Sequence, residues 1–506
     1  MRGSTYVGAH GSRQFFHRLM IAEGEYKSVI RSDYMSGSVN RDIGSVSRIP
    51  QRPLIRIGID DTDSPEGMCT TYLGALLCER LEKLGYTIRD RLLIRLNPNA
   101  PFKTRGNAAV CIVLESRADE CGNDVESGNR GTDAYDAGRG LTVGAEKKEL
   151  FELVCGLIDE YAEFDCEKTN PGAVICESPI SPEFYEKALR HFCTIEEAKA
   201  LLDGRPDILY RGWKLGRGLI GATAAVSAEL PDFTYELLAY RNCRSKGIRD
   251  FDRDSVFIAE KETYPQTWDS VDTINDAVVC VPHTPDPVLF GIRGCSPDAV
   301  LRARSYIVSE VPERQMVYRT NQGTDAHLID AALSEIEEGC SYRLPCYVLE
   351  NPVTLEGGHV LLKVADIPLS SMSGSGGSDG RILDCMAYEP TKNFRDIVRA
   401  LRAGDRITVC GSYKNGSLNL EKIRIDTLAD DIVRKPPVCA CGKRMTSAGR
   451  GQGYKCRRCG AKATEPEITV IPRVISEGWY EVPPVARRHL SMPLVRCALL
   501  KDNNKY

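Results

Sequence analysis

The first apolar run with a clear period along the chain is Leu54–Ile59, a β-rich stretch that starts after Pro53. The following segment, TTYLGALLCERLEKLG, places Leu73, Leu76, Leu77, Leu81 and Leu84 on one helical face and ends on Gly85, a helix stop. Strand and helix patterns then alternate to about Leu202, which predicts an α/β unit over residues 54–205. Within it, the Gly/Asp/Asn-rich stretch 118–145 lacks the apolar residues to pack and is expected to be a flexible surface insertion. A second unit, residues 206–340, opens with WKLGRGLIGATAAVSAEL and FTYELLAYR, whose apolar alternation reads as strand, turn, strand. It continues through AVVCVPHTP and VLFGIRG to a predicted helix at Pro297–Glu310, an α+β pattern.

Residues 341–430 change to an all-β pattern: CYVLENPV, HVLLKVAD, RILDCMAYE, DRITVCGSY and LNLEKIRI, with one helix at Phe394–Leu401 between the third and fourth strands. Five strands with a helix in that place predict a small closed barrel of the OB type. A flexible loop, SSMSGSGGSDG, joins two of the strands; it is not a dinucleotide-binding loop, since no strand–helix pair brackets it. A short cysteine-bearing module follows at 435–462, and then a C-terminal tail, 463–506. The fold class expected is therefore multidomain α+β.

Composition narrows this picture. At 506 residues the chain exceeds one core, so several domains are expected. No apolar run approaches the roughly 18 residues a membrane helix needs. Twenty cysteines are scattered through apolar runs as well as clustered near the C-terminus, with no secretory segment upstream, which points to a reducing, cytoplasmic setting. Residues 1–53 are Arg/Ser/Gly-rich and aperiodic, and are expected to be a disordered basic arm or the product of a start codon placed too far upstream; Glu23, Glu25, Asp33 and Asp42 argue against a transit peptide. The net charge of −4 hides an imbalance, because residues 435–506 carry 14 Lys and Arg against 5 Asp and Glu. That end is suited to nucleic acid.

The candidate chemistry begins where the first strand ends. Asp60, Asp61 and Asp63 crowd between a strand exit and a helix start, where open α/β sheets place ligands. Such close carboxylates repel unless a cation neutralises them, and hard oxygen ligands suit Mg²⁺ arriving with nucleotide phosphates. A capping cluster without chemistry is the bland alternative. Gly67, for close backbone approach, and the hydroxyls of Thr70 and Thr71 at the helix N-terminus favour an anion site, and Thr70 is a candidate to accept or position a phosphoryl group. Lys103 and Arg105, in the loop of RLNPNAPFKTRGNAAV, are either solvated charges or a phosphate clamp. Cys439, Cys441, Cys456 and Cys459 have the layout of a structural Zn²⁺ ribbon, with a first pair one residue short of the usual C-x-x-C. Between and beside them Lys443, Arg444, Arg450, Lys455, Arg457 and Arg458 surround Tyr454, a mixture of charge and stacking surface that fits RNA or DNA. His283 and His327 read as structural, and the Asp-x-Asp of a phosphatase lacks its downstream partners.

Nine ordered stretches between Leu54 and Trp479 resemble the archaeal tRNA agmatidine synthases: GIDDTDSPEGMCTTYL, RLNPNAPFKTRGNAAV, GRGLIGATAAV, TYELLAYR, PHTPDPVLFGIRG, TNQGTDAHL, YEPTKNFR, LNLEKIRID and GKRMTSAGRGQGYKCRRCG. The basic arm, the 118–145 insertion and the short first cysteine pair depart from that family. The resemblance implies a kinase-like first domain, a ferredoxin-like second one, an OB fold and a zinc ribbon. It implies an ATP-dependent ligase that phosphorylates the C2 oxygen of the wobble cytidine in the CAU-anticodon isoleucine tRNA and replaces it with agmatine. Thr70 matches the family's phosphorylated threonine, with ATP, Mg²⁺ and Zn²⁺ as cofactors. Agmatine carries two positive charges, so its pocket is expected to hold carboxylates; Asp269 and Asp325 are the candidates. A non-catalytic nucleic-acid-binding protein, or a phosphatase or small-molecule kinase indifferent to RNA, are the competing readings.

Overall fold

The computed structural model describes residues 52–117, 143–245, 247–366 and 381–502. The expected basic arm, except for Arg52 and Pro53, most of the 118–145 insertion and the SSMSGSGGSDG loop lie outside the described residues.

The first 320 residues contribute nine strands to one sheet: β1 (Leu54–Asp60), β2 (Ile88–Arg95), β3 (Ala108–Glu115), β4 (Gly172–Cys176), β5 (Ile208–Gly212), β6 (Thr234–Tyr240), β7 (Thr267–Trp268), β8 (Val288–Gly294) and β9 (Arg314–Thr320). Their spatial order is β5-β4-β1-β3-β2-β9-β6-β8-β7. The expected α/β and α+β units therefore share a sheet rather than standing apart. The seam is the short parallel pairing of β9 with β2, Arg319 opposite Leu92 and Thr320 opposite Leu93; the pairings within each half are antiparallel. β1 is central, flanked by β3 and β4, so its exit at Asp60 opens from the middle of the first half.

Helix α1 (Thr70–Lys83) packs on this sheet with Leu73, Leu76, Leu77 and Leu81 buried, as its spacing predicts, whereas Leu84 is half-exposed at the C-cap. Helices α2 (Val143–Tyr161), α3 (Pro182–Arg190) and α4 (Ile195–Leu202) complete the first half. The segment read as the first strand of the second unit is instead helix α5 (Gly218–Ser227), packed against β1, β4 and β3 of the first half. Nearly every one of its residues is buried, so it has no polar face to set a helical period, and its small apolar residues look like alternation. Helices α6 (Arg253–Thr263) and α7 (Pro297–Tyr306) cover the second half, α7 being shorter than predicted.

The barrel follows the pattern more closely. Strands β10 (Ser341–Val348), β11 (Val360–Asp366), β12 (Ile382–Ala387), β13 (Arg406–Lys414) and β14 (Ser417–Thr427) close on themselves in the order β10-β11-β12-β14-β13 and back to β10. Helix α8 (Phe394–Ala400) lies between the third and fourth of them. Inward residues such as Leu344, Leu362, Cys385, Val409 and Ile423 form one core.

The expected tail is built into the structure. Glu467–Ile471 pairs with Asp431–Lys435 as a two-stranded stalk for the cysteine module, and Gly478–Glu481 adds an edge to β14. The chain then returns to the sheet before helix α9 (Leu494–Asp502). No helix among the described residues is long and apolar enough to cross a membrane.

Candidate active site

A cleft of about 780 Å³ opens at the exit of β1, lined by the loop 95–108, the N-terminus of α1, helix α5, strands β6 and β8 and the returning tail. Asp60, Asp61, Asp63, Thr70, Thr71, Lys103 and Arg105 all reach it. Cys69 is the N-cap of α1 and makes no side-chain cap, and no acid stands in the helix's first turn, so the carboxylates are not there to cap the helix.

Local backbone explains their convergence. Asp61 takes a left-handed conformation (φ +56°), which turns the chain sharply between Asp60 and Asp63 and is a conformation Asp tolerates better than most residues. Thr62, buried between them, donates from its hydroxyl to Thr70 Oγ1 at 3.1 Å, which fixes the Thr70 hydroxyl beside the acidic turn. On the other side Gly218 and Gly221 of α5 press against Asp60; a Cβ at Gly221 would stand 1.8 Å from Asp60 Oδ2. Gly67 closes the turn by pairing with Ser64, where a Cβ would strike Glu163 Oε1 at 2.7 Å; it shapes the loop without lining the cleft.

The electrostatics fit a site for a cation and an anion. Burial, and then the neighbouring Asp61, pushes the Asp60 carboxyl well above the ordinary range. Burial and Asp63 push Asp61 up to about 7 against the pull of Arg217, whose Nε is 4.0 Å from Asp61 Oδ2. Asp63 is also raised by burial, in spite of Arg105 at 3.3 Å. Three buried carboxylates that Arg217 and Arg105 compensate only in part fit a hard divalent ion such as Mg²⁺. Arg105 holds the acidic loop, donating to the Ser64 carbonyl at 2.9 Å, so it shapes the turn as well as facing the cleft. The Lys103 ammonium is drawn down to about 8 by burial and by Arg488 and Lys414.

The two residues expected for agmatine part company. Asp269 lines the cleft and pairs with Arg487 at 3.0 Å. Asp325, by contrast, faces away: one oxygen binds Lys422 and the other accepts from the Met492 backbone N–H at 2.6 Å, so it is a structural ion pair. His327 is structural as read, buried against Glu421 at 3.2 Å, whereas His283 reaches the cleft lining.

Sequence reasoning missed the contribution of the tail. Three consecutive basic residues tie it to two neighbours: Arg487 to Asp269 and His489 to Arg293 of β8, at 2.7 Å, in the second half of the sheet, and Arg488 to Glu421 of the barrel at 3.5 Å. The His489 backbone carbonyl accepts from Gly323, which seats the tail against the sheet. Its imidazole is held neutral, its pKa well below the usual value, by burial and by Arg95, Arg293 and Lys103. Arg95 and Arg293 share Glu236 at 3.7 and 3.3 Å, and Arg217 lies over the exposed ring of Phe102 at the cleft mouth. The run Arg487-Arg488-His489 is the one signal that marked this segment, and it has no period to place it.

The four ribbon thiols converge, with Cys439 and Cys459 Sγ 3.3 Å apart and Cys441 and Cys456 Sγ 3.6 Å apart, so the short first pair fits a tetrahedral Zn²⁺. Lys443, Arg444, Arg450, Lys455, Arg457 and Arg458 are exposed around it, Arg444 paired with Glu467 at 2.7 Å, and Tyr454 packs partly against the thiol cluster.

Carboxylates and guanidinium groups gathered in one cleft, beside a closed barrel and a four-thiol ribbon, define a multidomain enzyme built for phosphoryl groups and nucleic acid together. Three family models match in chain order: the TiaS TCKD domain over residues 56–211, the TiaS FLD domain over 216–327 and the TiaS C-terminal zinc ribbon domain over 436–475. The chain belongs to the TiaS family, the 2-agmatinylcytidine synthetases of an isoleucine tRNA. It is 44% identical to the family's protein from Methanocorpusculum labreanum over 449 residues, 88% of this chain and 97% of that one. The Archaeoglobus fulgidus protein is 44% identical over 447 residues, 87% and 97% of the two chains. Among solved structures, a complex of TiaS with its isoleucine tRNA and ATP superposes with a TM-score of 0.74 at 43% identity. A complex of TiaS with the same tRNA, AMPCPP and agmatine superposes with 0.72 at 41%. Each of these two matches covers 88% of this chain and 97% of the other.

Proposed function

We propose that the chain is an ATP-dependent ligase that joins agmatine to the wobble cytidine of the CAU-anticodon isoleucine tRNA, forming 2-agmatinylcytidine and directing the anticodon to AUA. The reading rests on family membership across nearly nine-tenths of the chain. The single structural observation that carries it is the triad Asp60, Asp61 and Asp63 beside Thr70 in a cleft that also presents the guanidinium groups of Arg95, Arg105, Arg217 and Arg293.

The C2 oxygen of cytosine is a poor leaving group, so it is first converted to a phosphate ester at the expense of ATP, and the agmatine amine then displaces phosphate. Asp60, Asp61 and Asp63 would hold Mg²⁺, which when bound offsets the charge of the transferring phosphoryl group. Arg105 and Lys103 orient phosphate oxygens, and Thr70, fixed by Thr62, presents a hydroxyl to the same place. Asp269 faces the cleft as a partner for the cationic end of agmatine. The target base leaves the anticodon stack to enter, which costs less from a loop than from a duplex. In this reading the first half of the sheet is the kinase-like domain, the second the ferredoxin-like domain, the barrel an OB fold, and the ribbon grips RNA through its exposed basic residues. The enzyme works in the cytoplasm.

The test supplies purified protein with a CAU-anticodon isoleucine tRNA transcript, agmatine, ATP and Mg²⁺, and examines the anticodon nucleoside by mass spectrometry. The expected product is 2-agmatinylcytidine; unchanged cytidine refutes the proposal, and tRNA binding without ATP turnover would favour a non-catalytic binding protein.

A further inference from the structure

Away from the carboxylate triad, three side chains of the kinds that bind transition metals meet where the barrel abuts the sheet. His191 follows the last turn of α3, while Glu337 and Cys340 belong to the loop that leads into β10. Their ligating atoms all lie within 4.8 Å of one another, and Cys340 Sγ is 3.3 Å from His191 Nδ1. Sulfur and nitrogen bound to one tetrahedral zinc stand about 3.5 Å apart. The ribbon gives an internal yardstick, with thiol pairs at 3.3 and 3.6 Å around a site whose four cysteines suit a single zinc ion.

The backbone holding these side chains is firmly placed. Gly339 donates to the Tyr413 carbonyl, Tyr413 returns a bond to the Cys340 carbonyl, and both are 2.9 Å. The Gly339 carbonyl accepts from the amides of Asn97 and Asn99, at 3.0 and 3.1 Å, which belong to the cleft loop. Gly339 is left-handed (φ +85°) and lies so close to the ring of Phe192 that a Cβ would meet it at 2.4 Å. Cys340 is buried, whereas Glu337 is exposed, so solvent has access to the open side.

We propose that His191, Glu337 and Cys340 form a second zinc site, distinct from the ribbon, that fastens the first barrel strand to the domain carrying the cleft. One thiolate, one imidazole and one carboxylate leave a fourth position for water, and the thiolate selects zinc or a similar borderline ion over magnesium. The ion would cross-link segments about 150 residues apart at the point where the cleft loop is anchored. Its role is structural, and it does not depend on which reaction the cleft performs.

The experiment measures metal content of the full chain, produced with zinc and freed of loosely held metal. Two zinc ions per chain are expected, falling to one in Cys340→Ser, and one is expected to remain when Cys456→Ser and Cys459→Ser remove the ribbon site. Glu337→Gln alters an exposed side chain and should keep the fold; it is expected to weaken cobalt binding at this site by about tenfold or more, with loss of the sulfur-to-cobalt band at lower metal excess. One zinc per chain in the unaltered protein, or two in Cys340→Ser, overturns the proposal and leaves a thiol–imidazole hydrogen bond only.

Discussion

Replacing Asp61 by asparagine should make the metal-free protein more stable while ending its activity. Asp61 is raised from an ordinary 3.8 to about 7 because burial and Asp63 oppose its ionised form. The folded state therefore binds more protons than the unfolded chain between those two values, and stability falls as pH rises through that window. At pH 8 the ionised side chain costs the fold about 4 kcal/mol, and at pH 5 the cost shrinks to about 1.5 kcal/mol. Asparagine has nearly the same shape and no charge, so it escapes the penalty. Denaturant unfolding of the two proteins in EDTA at pH 8 and pH 5, followed by a probe in the cleft half, measures the difference. The variant should gain stability at pH 8 and lose most of that gain at pH 5. Mg²⁺ with ATP should raise the midpoint of the unaltered protein more than that of the variant. Product formation should vanish with tRNA affinity largely retained. A variant equally or less stable at pH 8, or a gain that does not depend on pH, would refute the reasoning.

Gly221→Ala is expected to displace the Asp60 carboxylate, because the added methyl would overlap Oδ2; kcat should fall by about a hundredfold or more with circular dichroism unchanged, and normal turnover would show that α5 yields. His489→Ala should lower kcat by about tenfold to a hundredfold while tRNA affinity holds, and His489→Gln should recover part of the loss by restoring a polar group near Arg293; loss of tRNA binding instead would place the tail outside the cleft chemistry. Cys456→Ser should release the ribbon zinc, weaken tRNA binding and flatten its salt dependence, the logarithmic slope shrinking by roughly one for each phosphate the ribbon no longer neutralises; filter binding across a salt series would expose an unaltered slope.

What the sequence disclosed follows from how each element buries itself. Barrel strands such as β11 and β12 alternate buried and less buried positions, and α1 has leucines at helical spacing with charged residues in its last turns, so their period is readable, down to a helix between the third and fourth barrel strands. Helix α5 has no wet face, and its run of small apolar residues passes for a strand. The triad, the two threonines and the ribbon cysteines are legible because their chemistry is local in sequence. Arg217, Arg293 and His489 are not, since they come from segments more than a hundred residues from the triad and meet it only through the folded sheet. Asp325 illustrates the reverse error: a carboxylate in a matching motif that the fold spends on Lys422.

The seam between β2 and β9 has a further consequence. Because both flanks of the catalytic trough hang from one continuous pleated surface, hinge bending between them would tear hydrogen bonds from the middle of the sheet. Of the parts outside that sheet, the returning tail reaches the cleft through His489, so it is the part free to shift when a bulky polynucleotide enters or leaves. Separating the two flanks would leave β2 and β9 as unpaired strand edges.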